Sequence, residues 1–182
     1  MPRSRHPKKA SDEAIDASGG EPLLDLKRLT SISKAIKQFC KEKTIKYTSS
    51  AISNGYYLTK EIAKKLKEEC AVNNAQISID GLAPTYSRQK GTSEESFYKV
   101  LSNIKEASEY IRLDIRVNIT EKNLSDVIPL FHVLFDDGVK NVTAYLAIVR
   151  DYNGVNVDGL LGFLEYEKNK RRILEQLVKE GF

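Results

Sequence analysis

The chain has 182 residues and 41% hydrophobic content, so it is long enough to bury a core, and its length suggests one domain. Its formal net charge of +4 comes from four basic residues at the start, and residues 11–182 are neutral. The chain therefore gives no electrostatic reason to expect nucleic-acid binding. No run approaches the roughly 20 apolar residues of a membrane helix, and the first residues lack the apolar core of a secretory signal. We expect a cytoplasmic protein with no membrane partner.

The spacing of apolar residues alternates between helical and extended from Asp25 onward, which is typical of βα units. Strands are predicted over residues 44–52, 75–80, 111–120 and 142–149. Each interval between them holds a helix, and such connections join parallel strands through right-handed crossovers. The sequence therefore predicts an α/β fold with a parallel sheet.

Capping residues and apolar spacing place the first helices and the last one. The first helix starts near Asp25, and one apolar face is formed by Leu26, Leu29, Ile32, Ile36 and Phe39. Thr59 offers an N-cap for the second helix. A final helix is predicted over residues 160–178.

Two further helices are predicted in the middle of the chain. Thr92 and Glu95 have capping-box spacing and open the first of these. Asn123 or Ser125 caps the second, and Gly138 is placed to end it.

Polar and apolar residues alternate along two of the predicted strands. The polar residues are Gln76, Ser78 and Asp80 in one strand and Asp114, Arg116, Asn118 and Thr120 in the next. If the apolar side packs against helices, the polar side lines a wet cavity inside a curved sheet; the alternative is a solvated face of an open sheet. Barrel-type sheets place their chemistry at the carboxyl ends of strands, where Asp80 and Asn118 lie, and this favours the cavity.

The strongest local signal is SGGEPLL at residues 18–24. Gly19 and Gly20 carry no side chain where a backbone could approach a ligand, and Pro22 fixes a turn. Glu21 supplies a carboxylate that suits an ammonium group. A glycine turn alone is usually only a turn, so its meaning depends on the motifs that follow it.

This segment resembles the GGEP motif of radical S-adenosylmethionine (SAM) enzymes. SNGYYLT at residues 53–59 is similar to the TNG-x-LL-T turn of that family. QISIDG at residues 76–81 resembles its fourth-strand signature in the branch that modifies peptides and often carries SPASM extensions.

Two more stretches continue the resemblance in the same order. Arg88, Gly91 and SFYKVL at residues 96–101 match the family's R-G and F-x-x-V-L pattern, and RVNIT at residues 116–120 resembles its fifth strand. The match covers about residues 18–150, and on these five motifs the chain is identified as a member of the radical SAM superfamily.

The resemblance implies a SAM site, with a structural hydrogen bond as the alternative role for each polar residue. The residues that would contact the methionine end of SAM are Gly19, Gly20, Glu21 and Pro22. Ser78 and Asp80 would lie near its ribose or carboxylate. Arg116 and Asn118 are candidates for contacts to SAM or substrate, and Arg88 is a weaker candidate for a carboxylate. No catalytic side chain is predicted.

The chain departs from the family at its cluster motif. The family holds a [4Fe-4S] cluster with CxxxCxxC, because three thiolates bind three irons and leave the fourth for SAM. Only Cys40 and Cys70 are present, both on predicted helices, and two buried or idle thiols are expected. No metal ligand is therefore predicted. Residues 6–16 resemble the start of the family's first helix, and residues 14–17 offer a stub of its second strand.

The expected architecture is a partial (β/α)6 radical SAM barrel, TIM-barrel-like, with its N-terminal strands missing or shortened. Residues 1–17 form a basic segment with a remnant of the first helix, residues 18–154 the partial barrel, and residues 155–182 a C-terminal helical segment. The strand at residues 44–52 would have a free edge, and self-association through that edge is expected.

Two functions follow from the resemblance. The first is a radical SAM enzyme that generates a 5′-deoxyadenosyl radical from SAM to modify a peptide or small molecule. The second is a truncated, non-catalytic remnant without a cluster that binds SAM weakly or not at all. The missing cysteines favour the second for this polypeptide. An in-frame CxxxCxxC encoded upstream of Met1 would favour the first.

Overall fold

A computed structural model describes residues 13–17, 20–135, 139–151 and 158–182 of the chain. Its strands form one five-stranded parallel sheet in the order in which they occur along the chain. They are β1 Glu13–Ala17, β2 Tyr47–Ser53, β3 Val72–Ser78, β4 Arg112–Ile119 and β5 Val142–Ile148. The predicted α/β fold with a parallel sheet is confirmed.

Helices occupy the connections between these strands and follow the last one. They are α1 Leu26–Glu42, α2 Lys60–Cys70, α3 Ala83–Lys90, α4 Glu94–Ala107, α5 Val127–Phe135 and α6 Phe163–Lys179. A short 3-10 helix, Pro22–Asp25, precedes α1. None of the described helices is both long and apolar enough to cross a membrane.

The alternation along β4 decides how the sheet is covered. Its fully buried residues are Leu113, Ile115, Val117 and Ile119, and they belong to one core with residues of α2, α4 and α5 such as Leu66, Val100 and Leu130. Asp114, Arg116 and Asn118, which lie between them, are only half-buried. The helices therefore cover the apolar face, and the polar face stays accessible.

No helix is predicted over residues 83–90, where the structure has α3. Pro84 occupies the first turn of α3, where its missing N–H removes no intrahelical hydrogen bond. Gly91 ends the helix at φ +63°, in the left-handed region that favours glycine. Pro84 and Gly91 thus mark the two ends of a helix of about two turns between β3 and α4.

Helix starts agree with the sequence in one case and differ in another. Thr59 caps α2, since its hydroxyl accepts a hydrogen bond from the Ile62 N–H at 3.4 Å. α5 begins at Val127, and the fully buried side chain of Asn123 bonds to groups before the helix instead of capping it. Gly138, expected to end α5, lies outside the described residues.

β1 changes the predicted edge of the sheet. It pairs with β2 in parallel from Glu13 opposite Tyr47 to Ala17 opposite Ala51. The prediction of an unpaired β2 edge is therefore wrong, because the stub expected over residues 14–17 forms a strand and satisfies that side of the β2 backbone. Of the segment that resembles a first helix, residues 6–12 lie outside the described residues.

α1 leaves part of its predicted apolar face uncovered. Ile32 and Phe39 are 50% and 57% exposed, whereas Thr30 and Cys40 are buried. The side of α1 that carries Thr30 packs toward α2, and the Thr30 hydroxyl lies 4.0 Å from the sulfur of Cys70 in α2. The described helices therefore cover one side of α1 and leave the Ile32 and Phe39 side in contact with solvent.

Proline substitution in β1 tests the pairing with β2. Successive N–H groups of a strand point to opposite sides, so one of the variants Ala14→Pro and Ile15→Pro removes a donor directed at β2 and the other does not. We expect the variant that removes a donor to β2 to lower the free energy of unfolding by about 1 to 3 kcal/mol and to increase self-association. Urea denaturation and light scattering would measure both effects. If both variants behave like the parent chain, β1 does not protect β2.

Candidate functional site

The carboxyl ends of β3, β4 and β5 border a cavity of about 780 Å³, which we call the edge cavity. Its lining includes Asp80 just after β3 together with Arg116 and Asn118 of β4. These three predicted site residues therefore lie together, on the polar side where the alternation predicts a cavity. Ser78 pairs with Arg116 in the β3–β4 register but is not part of the lining.

A chain of hydrogen bonds joins the three side chains. Asn118 donates to Asp80 Oδ1 from its backbone N–H at 2.7 Å and from Nδ2 at 3.0 Å. Arg116 Nε donates to Asn118 Oδ1 at 2.9 Å. Within the described part of the chain, Asp80 Oδ2 and the two terminal nitrogens of Arg116 have no hydrogen-bond partner. An acceptor and a set of donors are thus left for a ligand.

Asn123 ties the ends of β3 and β4 together from a fully buried position. Its Nδ2 donates to the carbonyls of Asp80 at 2.5 Å and Asn118 at 2.7 Å, and its Oδ1 accepts from the Thr120 N–H at 2.8 Å. Only a carboxamide offers two donors and an acceptor in this shape. Asn123 is therefore a positioning residue for the Asp80–Asn118 pair.

At Gly81 the chain turns from β3 into α3, and its backbone passes close to the side chains of Thr85 and Asp126. A Cβ atom at this position would lie 2.7 Å from Thr85 Cγ2 and 2.8 Å from Asp126 Oδ2. The same Asp126 oxygen accepts a hydrogen bond from the Leu82 N–H at 3.2 Å. Because Gly81 has no side chain, Asp80 and the start of α3 can pack against the turn that precedes α5.

Burial raises the pKa of the Asp80 carboxyl above its ordinary value of 3.8. Hydrogen bonds from Asn118 and the positive charges of Lys90 and Arg116 act in the opposite direction and offset only part of this effect. Removal from water is therefore the dominant influence on this carboxylate, as is common at binding sites.

Polar contacts continue below the edge cavity on the same face of the sheet. Tyr145 of β5 donates from its hydroxyl to Gln76 Oε1 of β3 at 2.6 Å. Thr143 donates to Asp114 Oδ1 at 2.6 Å. These cross-strand bonds connect β3, β4 and β5, and the bond to Gln76 holds the Tyr145 side chain at the wall of the cavity.

Of the glycine segment that follows β1, the described residues Gly20, Glu21 and Pro22 are not part of the edge-cavity lining. Gly20 has φ +65°, a conformation that favours glycine, and Pro22 starts the 3-10 helix before α1. Gly19 lies outside the described residues. The structure therefore brings Asp80, Arg116 and Asn118 together but does not place Gly20, Glu21 or Pro22 among them.

Glu21 links this segment to the turn after β2. Its Oε1 accepts from the Leu23 N–H at 3.2 Å and from the Ser53 hydroxyl at 2.8 Å. Its Oε2 accepts from the Asn54 N–H at 2.7 Å. A carboxylate has about four acceptor sites. Described protein donors occupy three of those of Glu21, so one site on Oε2 remains for a ligand.

Sequence reasoning missed several residues of the cavity. Lys90 lies at the end of α3, a helix that the sequence does not predict, and Arg150 follows β5. The period-two pattern of β5, continued from Thr143 to Tyr145, is a signal that could have identified Tyr145. Arg88 is exposed, donates to the Thr85 hydroxyl at 3.3 Å and does not line the cavity.

Comparison with known proteins identifies relatives of the chain. The model of the Radical SAM superfamily matches residues 5–134. Over 100 residues the chain is 37% identical to the uncharacterized protein MJ0804 of Methanocaldococcus jannaschii. That match covers 53% of this chain and 31% of the relative, so the chain spans about a third of the relative's length.

Several solved structures have a fold similar to that of this chain. Native anSMEcpe with bound AdoMet (SAM) has a TM-score of 0.71 at 18% identity, covering 92% of this chain and 47% of that one. SuiB of Streptococcus suis bound to the precursor peptide SuiA has a TM-score of 0.63 at 13% identity, covering 92% and 36%. The likeness shows the fold, and this chain covers about half or less of each structure. The predicted partial barrel is confirmed.

The raised pKa of Asp80 predicts a specific pH dependence of stability. A folded-state pKa above 3.8 means that the free energy of unfolding falls as the pH rises from below 3.8 through the folded-state value. Asp80→Asn lacks this titration, so its stability relative to the parent chain should increase over that interval and then level off. Urea denaturation between about pH 3 and pH 7 would measure the difference.

Asp158→Asn serves as the control for this experiment. The hydrogen bond and charge of Lys122 lower the pKa of Asp158, so its contribution to stability is present at higher pH and is lost on acidification. The relative stability of Asp158→Asn should therefore decrease as the pH rises. A flat or decreasing difference for Asp80→Asn would contradict the burial of its charge.

Proposed function

The chain belongs to the radical SAM superfamily, and we propose that it binds SAM in the edge cavity without itself holding the family's iron-sulfur cluster. The observation that carries this proposal is the Arg116–Asn118–Asp80 network, in which donors and an acceptor at one wall of the cavity have no partner among the described residues. The volume of about 780 Å³ lies within the range of small-molecule pockets, about 300 to 1,000 Å³.

Each polar residue has a distinct part in the proposed binding. The terminal nitrogens of Arg116 suit the carboxylate of SAM, because a guanidinium can bind a carboxylate with two parallel hydrogen bonds. Asp80 Oδ2 would accept a hydrogen bond from a ribose hydroxyl. Asn118 bonds to both Asp80 and Arg116 and so orients their side chains. Ser78, next to Arg116 in the sheet, would support the carboxylate.

Gly20, Glu21 and Pro22 are not part of the edge-cavity lining, so they would act where the methionine end of SAM extends from the cavity toward the turn after β2. The remaining acceptor site on Glu21 Oε2 suits the ammonium group, while its other acceptor sites anchor the segment to Ser53 and Asn54. Gly19, Gly20 and Pro22 would shape the backbone around that group. Glu21 therefore has a positioning role in addition to any direct contact.

The cysteines of the chain do not fit a [4Fe-4S] cluster. The family's motif uses three thiolates, and this sequence contains two cysteines, Cys40 and Cys70. Both are buried in helices, as the sequence predicts. In the described ranges no group of three or more His, Cys, Asp or Glu side chains is arranged to hold a metal ion. We therefore assign no radical-forming step to these residues.

A first test measures SAM binding by calorimetry with the full chain. Arg116→Gln should weaken binding by about 1.5 to 3 kcal/mol, since it removes charge-assisted hydrogen bonds. Arg88→Gln is the matched control, because Arg88 is an exposed arginine outside the cavity lining and should leave the affinity unchanged. Equal affinities of the two variants would remove Arg116 from the site.

A second test asks whether the chain holds a cluster. Anaerobic reconstitution with iron and sulfide should give no stoichiometric [4Fe-4S] centre, because three thiolate ligands are not available. Iron and sulfide analysis would measure the content, and Cys40→Ser with Cys70→Ser should give the same result as the parent chain. A full cluster per chain that the double variant loses would overturn this part of the proposal.

A further inference from the structure

The edge cavity has an excess of positive charge. Lys90, Arg116 and Arg150 line it, and among the described residues of the lining Asp80 alone is acidic. Residues 11–182 as a whole are neutral, so this excess belongs to the cavity and not to the general surface. A cavity lined by one sign of charge raises the local concentration of ligands of the opposite sign.

Two of these cations are available to a ligand. In the part of the chain that the structure describes, no hydrogen bond or ion pair holds the side chain of Lys90 or of Arg150. Both residues are exposed, and they reach the cavity from different elements, the end of α3 and the segment after β5. Together they offer ammonium and guanidinium donors, which form charge-assisted hydrogen bonds with carboxylates.

SAM alone does not balance this charge. It carries an ammonium and a sulfonium group against one carboxylate, so its binding beside Arg116 would add positive charge to the cavity. A second, anionic ligand would lower the electrostatic free energy of the occupied cavity. This step of the argument rests on the proposed function.

A neighbouring pocket indicates what else the anionic ligand contains. This tyrosine pocket, of about 350 Å³, is lined by Tyr56, Tyr57, Tyr86 and Lys90 among others. Lys90 thus borders both the edge cavity and the tyrosine pocket. Tyr56 and Tyr57 meet edge to face at 5.1 Å, and Tyr57 is 40% exposed, so an aromatic or apolar side chain can pack there.

We infer that the edge cavity and the tyrosine pocket together bind an acidic peptide segment in which a carboxylate side chain lies next to an aromatic one. Lys90 and Arg150 bind the carboxylates, and Tyr57, the exposed tyrosine of the pocket, contacts the aromatic ring. A small anion would use the cations but would leave the tyrosine pocket empty.

Binding of synthetic peptides to the full chain tests this inference. The probe is acetyl-Gly-Phe-Glu-Glu-Gly-amide, with a Gln-Gln version and a version with Ala in place of Phe as comparison peptides. We expect each change to weaken binding by about tenfold or more, the value of one charge-assisted bond or one buried ring. Equal binding of the Gln-Gln version, or equally effective competition by inorganic phosphate, would overturn the inference.

Paired charge variants locate the binding. Lys90→Gln with Arg150→Gln should weaken binding of the acidic probe by about tenfold. Arg28→Gln with Lys64→Gln removes the same charge from exposed positions on α1 and α2 and should have no effect. Equal loss in both double variants would show a general charge effect and contradict the site.

SAM binding, measured on the same proteins, separates this inference from the proposed function. If the chain binds SAM but not the acidic probe, the inference fails and the proposed function stands. If it binds the probe through Lys90 and Arg150 but not SAM, the proposed function fails and the peptide site stands.

Discussion

The side chain of Asn123 determines where β3 and β4 end relative to each other. Its amide nitrogen holds the carbonyls of Asp80 and Asn118, and its oxygen holds the Thr120 N–H. Because the carboxamide is fully buried, each of these bonds lacks competition from water, and the loss of any one would leave a buried polar group unpaired. The position of Asp80, and of the turn at Gly81 that leads into α3, depends on this contact.

The two faces of the sheet have different physical roles. One face is covered by helices and supplies the core, so its residues are apolar at every second position. The other face carries Arg116 and Asn118 on the same strand two residues apart, close enough to bond to each other. The stability of the fold and the chemistry of the site therefore use alternate residues of the same strands.

The features that resemble the family divide into two groups. The glycine segment is anchored through Glu21 to the turn after β2, and the polar network lies at the ends of β3 and β4. Both can contribute hydrogen bonds and charge to a ligand without a metal. The sequence contains two cysteines, whereas the family's cluster motif uses three thiolates.

The sequence by itself determined the parallel α/β fold, four of the five strands and the polar alternation of β3 and β4, because these features follow from the local spacing of apolar residues. It also determined the lack of a three-cysteine motif, because that feature follows from composition. Only the tertiary structure decided that β1 covers β2, that Asn123 joins two strand ends instead of capping α5, and that Lys90 and Arg150 line the same cavity. These features depend on contacts between residues far apart in the chain. Sequence spacing does not encode such contacts, and they form only when the sheet brings its carboxyl edge together.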